Sequence, residues 1–254
     1  MKKQICIIFL LFTIKISVFA SDFSLSAGAG GLLGGFFTRY TLTADGIIED
    51  TRIIIDSAQE VNQFNYGFFA FFDATYGTIS ILYQKGTNTY RETADISVLT
   101  NSTDQRGKGW DSVLGFSLLG KYPFNLNRQI SIFPLLGIEY QISLTQKRTQ
   151  PDGWVYDRTD GLREQDKDGN AYLIEDWNSI WINIGGGMDF KLPGNFFIRG
   201  DLLYGFRLMT SYETKNLDMM KTMAGDPNPK LGGLTSGPSI RISAGYRFFR
   251  RSLP

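Results

Sequence analysis

Histidine is absent from the sequence, and the only cysteine is Cys6. Serine and cysteine hydrolases use histidine as a general base, and zinc and copper sites use histidine or thiolate ligands. Those mechanisms cannot be written with these residues, and a single cysteine cannot form an internal disulfide. We therefore expect a protein that is not an enzyme and that holds no organic cofactor or transition metal.

Net charge and long apolar runs are also lacking. Lys and Arg number 26 and Asp and Glu 25, a formal charge of +1 that argues against nucleic acid as a partner. Beyond residue 20, no segment approaches the roughly 18 consecutive apolar residues of a membrane-spanning helix. If the chain is integral to a membrane, only a closed barrel satisfies its backbone polar groups.

The N-terminal segment has the pattern of a secretory signal peptide. Two lysines precede the apolar run Ile5–Ile14, and small residues up to Ala20 suit a cleavage site. We predict a signal peptide at 1–20 and a single domain at 21–254. Cleavage removes the cysteine and three lysines, which changes the formal charge from +1 to −2.

The segment Ile130–Leu144 alternates in a period of two. Its even-numbered residues are apolar, whereas most odd-numbered residues are small or polar and include Glu139. A period of two places these sets on opposite faces of one long strand. One face suits hydrocarbon, and the other carries a carboxylate and hydroxyl groups.

Eight such strands can be read along the chain. They are Phe23–Leu42, Asn62–Asp73, Thr78–Thr89, Trp110–Tyr122, Ile130–Leu144, Trp177–Lys191, Phe196–Leu208 and Ser239–Phe249. Three connections are tight turns with Gly, Pro or Asn, and they alternate with four long polar connections. The long connections are Thr43–Val61, Tyr90–Gly109, Gln146–Asp176 and Met209–Pro238. Isoleucines in the first of these predict a hairpin that extends above the membrane.

A secreted β-sandwich also alternates apolar and polar residues. The predicted strands are longer than the mode of about 5–6 residues in soluble sheets, and short and long connections alternate regularly. Tyr and Trp near strand ends suit an aromatic girdle. These are Tyr40, Trp110, Tyr122, Tyr140, Trp177, Tyr204 and Tyr212. The sequence therefore predicts an all-β, eight-stranded antiparallel transmembrane β-barrel with short periplasmic turns and long extracellular loops.

This layout resembles the small outer-membrane barrels of the OmpA-transmembrane, OmpX and OmpW type. The segment Ile240–Phe249 is similar to their C-terminal strand, which ends in an aromatic residue. The resemblance covers nearly the whole domain and rests on pattern rather than on a motif. It implies the bacterial outer membrane as the location, with its lipid and the barrel-insertion machinery as partners.

The inward face carries the candidate functional residues. By strand parity, the predicted lumen-lining charges are Glu139, Asp189, Arg199, Asp201, Arg207, Arg241 and Arg247, together with Asp73, Lys121 and Lys191. These charges either pair and fill the lumen or line a selective pore. For Asp189 and Asp201, the neighbouring cations Lys191 and Arg199 favour pairing. We predict a narrow porin-like channel for a small-molecule solute. The alternative is a non-conducting adhesin-type barrel whose extracellular loops touch a host-surface ligand.

One polar connection resembles a calcium-binding loop. Its candidate ligands are Glu164, Asp166, Asp168, Asn170 and Glu175. No helical pattern flanks this segment, and an acid-rich turn is the alternative interpretation.

Overall fold

The computed structural model describes residues 22–48, 50–96, 103–149, 155–158, 164–165, 171–172, 178–208, 218, 221–222, 226 and 228–252. The predicted signal peptide lies outside the described residues and stays a prediction. The fold consists of eight long strands. They are β1 (Asp22–Ile48), β2 (Thr51–Ala74), β3 (Gly77–Ile96), β4 (Thr103–Lys121), β5 (Ile130–Thr149), β6 (Ser179–Lys191), β7 (Phe196–Arg207) and β8 (Lys230–Ser252). No helix in this part of the chain is long and apolar enough to span a membrane.

The eight strands form one closed antiparallel ring. Each strand pairs with its neighbours in sequence, and β1 pairs with β8, so that no long edge is left free. The predicted fold class, an eight-stranded antiparallel barrel, is confirmed. Closure satisfies the backbone hydrogen bonds of every strand within the ring, which is what a membrane interior demands.

The strands are staggered around the ring. If paired residues are followed around the ring from Pro134 on β5, the path returns to β5 at Thr145, eleven residues further along the strand. One of these eleven residues belongs to a bulge near Ser112. The path is Pro134, Gly186, Leu202, Ile240, Leu33, Tyr66, Lys85, Ser112 and Thr145. Such a stagger tilts the strands and leaves a lumen that side chains can fill. Pro134 lies one residue beyond the last pair between β4 and β5.

The two faces of the barrel are inverted relative to a soluble protein. Large apolar side chains point outward and are exposed, whereas charged and polar side chains point inward and are buried. The predicted outward sets are confirmed on the strands, as in β2. Its exposed outward residues are Phe64, Tyr66, Phe68, Ala70 and Phe72. The exposed apolar band is the surface that lipid hydrocarbon covers in a membrane-spanning barrel.

The extracellular ends of the strands rise higher than predicted. The predicted loop Thr43–Val61 is mostly strand, because β1 and β2 stay paired up to Ile48 and Thr51. In the same way β3 continues to Ile96, β4 begins at Thr103, and β8 begins at Lys230. Above the membrane the outward face of these strands is mostly polar, so the sequence there lacks the alternation of apolar and polar residues. The hairpin prediction for the first connection is confirmed.

Candidate functional site in the barrel lumen

The periplasmic half of the lumen contains a buried network centred on Arg199. Its guanidinium donates to both oxygens of Asp189 on β6, at 2.6 and 2.9 Å, and to both oxygens of Asp73 on β2, at 3.1 and 3.2 Å. Lys121 donates to Asp73 at 2.5 Å, and Thr78 also donates to that carboxylate. Two cations and two carboxylates therefore neutralise one another, and the contacts to Asp73 join strands that are not adjacent.

Three phenylalanine rings surround the same guanidinium. Its central carbon lies 5.3 Å from the ring of Phe71, 5.0 Å from Phe133 and 5.2 Å from Phe197. These rings belong to two clusters of buried apolar residues. The clusters comprise Leu32, Phe69, Phe71, Leu82 and Phe197, and Leu119, Phe133, Leu135 and Leu203. The region of Arg199, its partners and these clusters is called the plug below.

A second ion pair crosses the lumen on the extracellular side of the plug. Arg241 on β8 donates to Glu139 on β5 at 2.6 Å, and Gln141 donates to the other oxygen of Glu139 at 2.7 Å. Two strands, β6 and β7, separate β5 from β8 on one side of the ring. The pair thus bridges opposite walls, and the Arg241 guanidinium also lies 5.8 Å from the ring of Phe69.

A half-enclosed chamber lies beside this bridge. Its cavity volume is about 50 Å³, and four amide side chains line it. They are Asn65, Gln84, Gln141 and Asn183. Phe36 and Trp181 meet in the chamber wall, with ring centroids 5.5 Å apart. The buried atoms Asn183 Nδ2 and Arg241 Nε have no hydrogen-bond partner among the described residues, so this end of the lumen retains free donors.

A third polar cluster contains Arg207. Its guanidinium donates to the hydroxyl of Tyr40 at 2.5 Å, and that hydroxyl lies 2.7 Å from the hydroxyl of Thr235. Tyr40 was predicted for the outer aromatic girdle, and this prediction is wrong, because its side chain points inward. The glycine-rich start of β1 shows no clear phase, so the sequence does not reveal that Thr38 and Tyr40 face the lumen.

The remaining predicted lumen charges occupy different environments. Asp201 is buried, and its Oδ1 atom has no hydrogen-bond partner among the described residues. Arg247 lies 5.9 Å from the ring of Phe197. Lys191 donates to Asn125 at 2.8 Å near the periplasmic turns, and its pairing with a carboxylate stays a prediction. Asp189 pairs with Arg199, its direct neighbour on β7, as the sequence favoured.

Above the chamber, β2, β3 and β4 share a polar cluster that the sequence did not single out. Gln63 donates to Asp111 at 2.8 Å and to Asn65 at 2.7 Å. Gly86 provides the space, since a Cβ at this position would lie 2.0 Å from an Asp111 oxygen. Gly86, a glycine in a polar stretch, is the one sign of this cluster in the sequence. It does not identify which polar residues bond to one another.

The predicted calcium loop is described only in part. Glu164 and Gln165 pair with Tyr172 and Ala171 as two short strands. The other four candidate ligands, Asp166, Asp168, Asn170 and Glu175, lie outside the described residues. Within the described part of the chain, no group of three metal-binding side chains occurs. The calcium site stays a prediction.

Comparisons with known proteins locate similar architectures. No model of a known protein family matches the sequence, and no curated protein matches it. Ail, the attachment invasion locus protein of Yersinia pestis, is 14% identical over 87% of this chain and 99% of its own, with a TM-score of 0.27. Neisserial surface protein A is 10% identical, with 87% and 99% covered and a TM-score of 0.32. The outer membrane protein OprG from Pseudomonas aeruginosa is 11% identical, with 88% and 97% covered and a TM-score of 0.36. At sequence identities this low, the role of a residue in those proteins cannot be assigned to a residue of this chain.

Proposed function

We propose that this chain is a sealed barrel that acts at the cell surface through its extracellular wall. The observation that carries this proposal is the plug. One guanidinium holds carboxylates on β2 and β6 at 2.6–3.2 Å while three aromatic rings pack around it. Unpaired charges are costly to bury, so a network this complete favours permanent packing over a water-filled path.

The height of the wall is the second support. β1 has 27 residues and β2 has 24, whereas crossing a membrane takes about 9–11 residues. Much of both strands therefore stands outside the bilayer. The outer face of the wall carries charges of both signs. They include Arg39, Glu60, Arg91, Asp104, Arg106 and Lys108. A rigid, charged surface of this kind suits contact with a protein or a polysaccharide.

Single-channel recording in a planar bilayer tests the sealed lumen. The refolded protein, checked by circular dichroism and by heat-modifiable gel mobility, is expected to show no discrete openings. Openings whose ion preference changes in Arg207→Glu or Arg241→Glu would contradict the proposal and support the narrow channel that the sequence predicted.

Adhesion tests the wall itself. Arg91, Arg106 and Lys108 line one groove on the outer surface, so a heparin-coated surface is the first probe. We expect proteoliposomes with the intact protein to be retained and the double variant Arg106→Ala/Lys108→Ala to be retained several-fold less. Lys230→Ala, an exposed lysine outside the groove, is the matched control. Equal retention of all three proteins contradicts a role for this groove.

A second test removes a connection rather than charges. Because β5 continues to Thr149, a deletion of residues 150–176 spares the barrel strands. Loss of adhesion by this variant, with heat-modifiable mobility unchanged, assigns binding to that connection. Unchanged adhesion indicates that binding depends on the wall and not on that connection.

The chamber favours a second candidate, a narrow conduit for small polar molecules. Free donors on Asn183 and Arg241 beside the paired rings of Phe36 and Trp181 are features that binding pockets share. In that case Glu139 and Arg241 act as the constriction. The conductance experiment distinguishes this candidate from the sealed barrel.

A further inference from the structure

A groove crosses the outer surface of the barrel within the apolar band. It runs over β8, β1 and β2 and ends at β3. Its lining includes Gly31, Leu33, Tyr66, Phe68, Ile240 and Ile242. Leu33, Phe68 and Ile242 are 55%, 64% and 63% exposed, so the walls of the groove stand out from the barrel.

The floor of the groove is a glycine that faces the lipid. Parity places Gly31 outward, and a Cβ built on it would meet no atom closer than 3.8 Å. The neighbouring outward residues are large, so the missing side chain leaves a depression between them. In a membrane this depression must be filled, because an empty space forfeits the dispersion contacts of its lining.

The extracellular end of the groove carries a cation. Along β3 the outward residues Ile79, Ile81 and Tyr83 are followed by Lys85, the first charge at the edge of the apolar band. Lys85 is aligned with Tyr66 on β2. No carboxylate of the described residues lies within 4.0 Å of its ammonium group, whereas the outward cations Arg39 and Arg91 each have an acidic partner.

We propose that the groove binds one lipid of the outer leaflet, with an acyl chain over Gly31 and a phosphate on Lys85. The walls supply hydrocarbon contact along the chain, and the tyrosines beside Lys85 suit the interfacial level at which phosphates lie. A lysine at this level extends toward the headgroups and attracts an anion there. The groove and the cation are therefore two ends of one site.

Native mass spectrometry of the detergent-extracted protein tests the site, with bisphosphorylated lipid A as the probe and its dephosphorylated form for comparison. We expect one lipid A to remain bound to the wild-type protein more tightly than any others. Lys85→Gln is expected to weaken binding of that lipid about fivefold without affecting the dephosphorylated form.

Gly31→Leu fills the groove and is expected to abolish the tight position for both lipids. Gly120→Leu is the matched control, because Gly120 also faces outward and its Cβ would have ordinary contact at 3.5 Å. Gly31→Ala replaces Gly31→Leu if the latter lacks heat-modifiable mobility. Equal lipid retention by the Gly31 and Gly120 variants overturns the proposal, and so does an equal effect of Lys85→Gln on both lipids.

Discussion

The periplasmic and extracellular halves of the lumen are built from the same residue types, but they differ in how completely the charges are paired. In the plug, Asp73 and Asp189 each accept two hydrogen bonds from Arg199, and Lys121 donates two more to Asp73. Around the chamber, Arg241 Nε and Asn183 Nδ2 have no hydrogen-bond partner among the described residues. The difference indicates that the plug is a structural element, and that the chamber is where a guest or water can enter.

Breaking the plug is expected to have the largest effect. Arg199→Met leaves Asp189 buried without its cationic partner and takes one of two cations from Asp73, which should lower the free energy of unfolding by about 3–5 kcal/mol. Urea unfolding in detergent micelles, followed by heat-modifiable mobility, measures this. The double variant Arg199→Met/Asp189→Asn keeps the ion pair of Lys121 and Asp73, removes the stranded carboxylate and should recover most of the loss. A loss in the double variant as large as in the single one assigns the effect to packing rather than to charge.

Breaking the upper bridge is expected to cost less. In Arg241→Met, Glu139 keeps the hydrogen bond from Gln141 and borders a chamber that is open to solvent. We expect a loss of about 1–3 kcal/mol, measured in the same way. The double variant Arg241→Met/Glu139→Gln is the control and should be close to wild type. A loss of stability equal to that of Arg199→Met means that water is excluded equally from the two halves of the lumen.

The sequence predicted which residues face the lumen but not which residues of distant strands meet there. Alternation with a period of two is sufficient to place Glu139 and Arg199 inward, because parity is a local property. The partner of each charge depends on the stagger around the ring, which joins residues 134 and 145 of the same strand. For that reason Arg199 reaches Asp73, 126 residues away in the chain, while Lys191 bonds to Asn125.

The predicted extents of the strands were least accurate above the membrane. There, the outward faces of β2 and β3 are mostly polar, and the alternation that identifies a strand disappears. A small buried cluster of Ala44 and Ile55, with Ile53 packed against it, stabilises the tall hairpin instead. The direction of the Tyr40 side chain was predicted wrongly for a related reason. The glycines before it in β1 have no side chains, so they do not show which residues of the strand face the lumen.

Removing the Asp201 charge is expected to raise the stability of the fold, whereas breaking the plug or the upper bridge lowers it. This carboxylate is buried with an oxygen that has no partner among the described residues, so Asp201→Asn relieves a desolvation cost. We expect the free energy of unfolding to rise by on the order of 1 kcal/mol. Asp189→Asn is the matched control, since it removes a carboxylate that Arg199 holds, and it should lower stability. If both variants lower stability equally, Asp201 is paired in the folded protein.

The smallest effect is expected at the top of the wall, where ion pairs are exposed to solvent. Arg52 donates to Asp45 at 2.9 and 2.6 Å, and this hydrogen bonding holds the pKa of the Asp45 carboxyl below its ordinary value of 3.8. A carboxylate with a lowered pKa stabilises the fold above its ordinary pKa, and the contribution is lost as the pH falls through the lowered value. Because solvent and salt screen such a pair, global unfolding should be unchanged by Asp45→Asn, in contrast to the buried pairs. The NMR signal of Arg52 Nε should titrate with a midpoint below 3.8 in the wild-type protein and should not titrate in Asp45→Asn. A midpoint at or above that value means that the pair does not form in solution, and the hairpin then depends on its buried cluster alone.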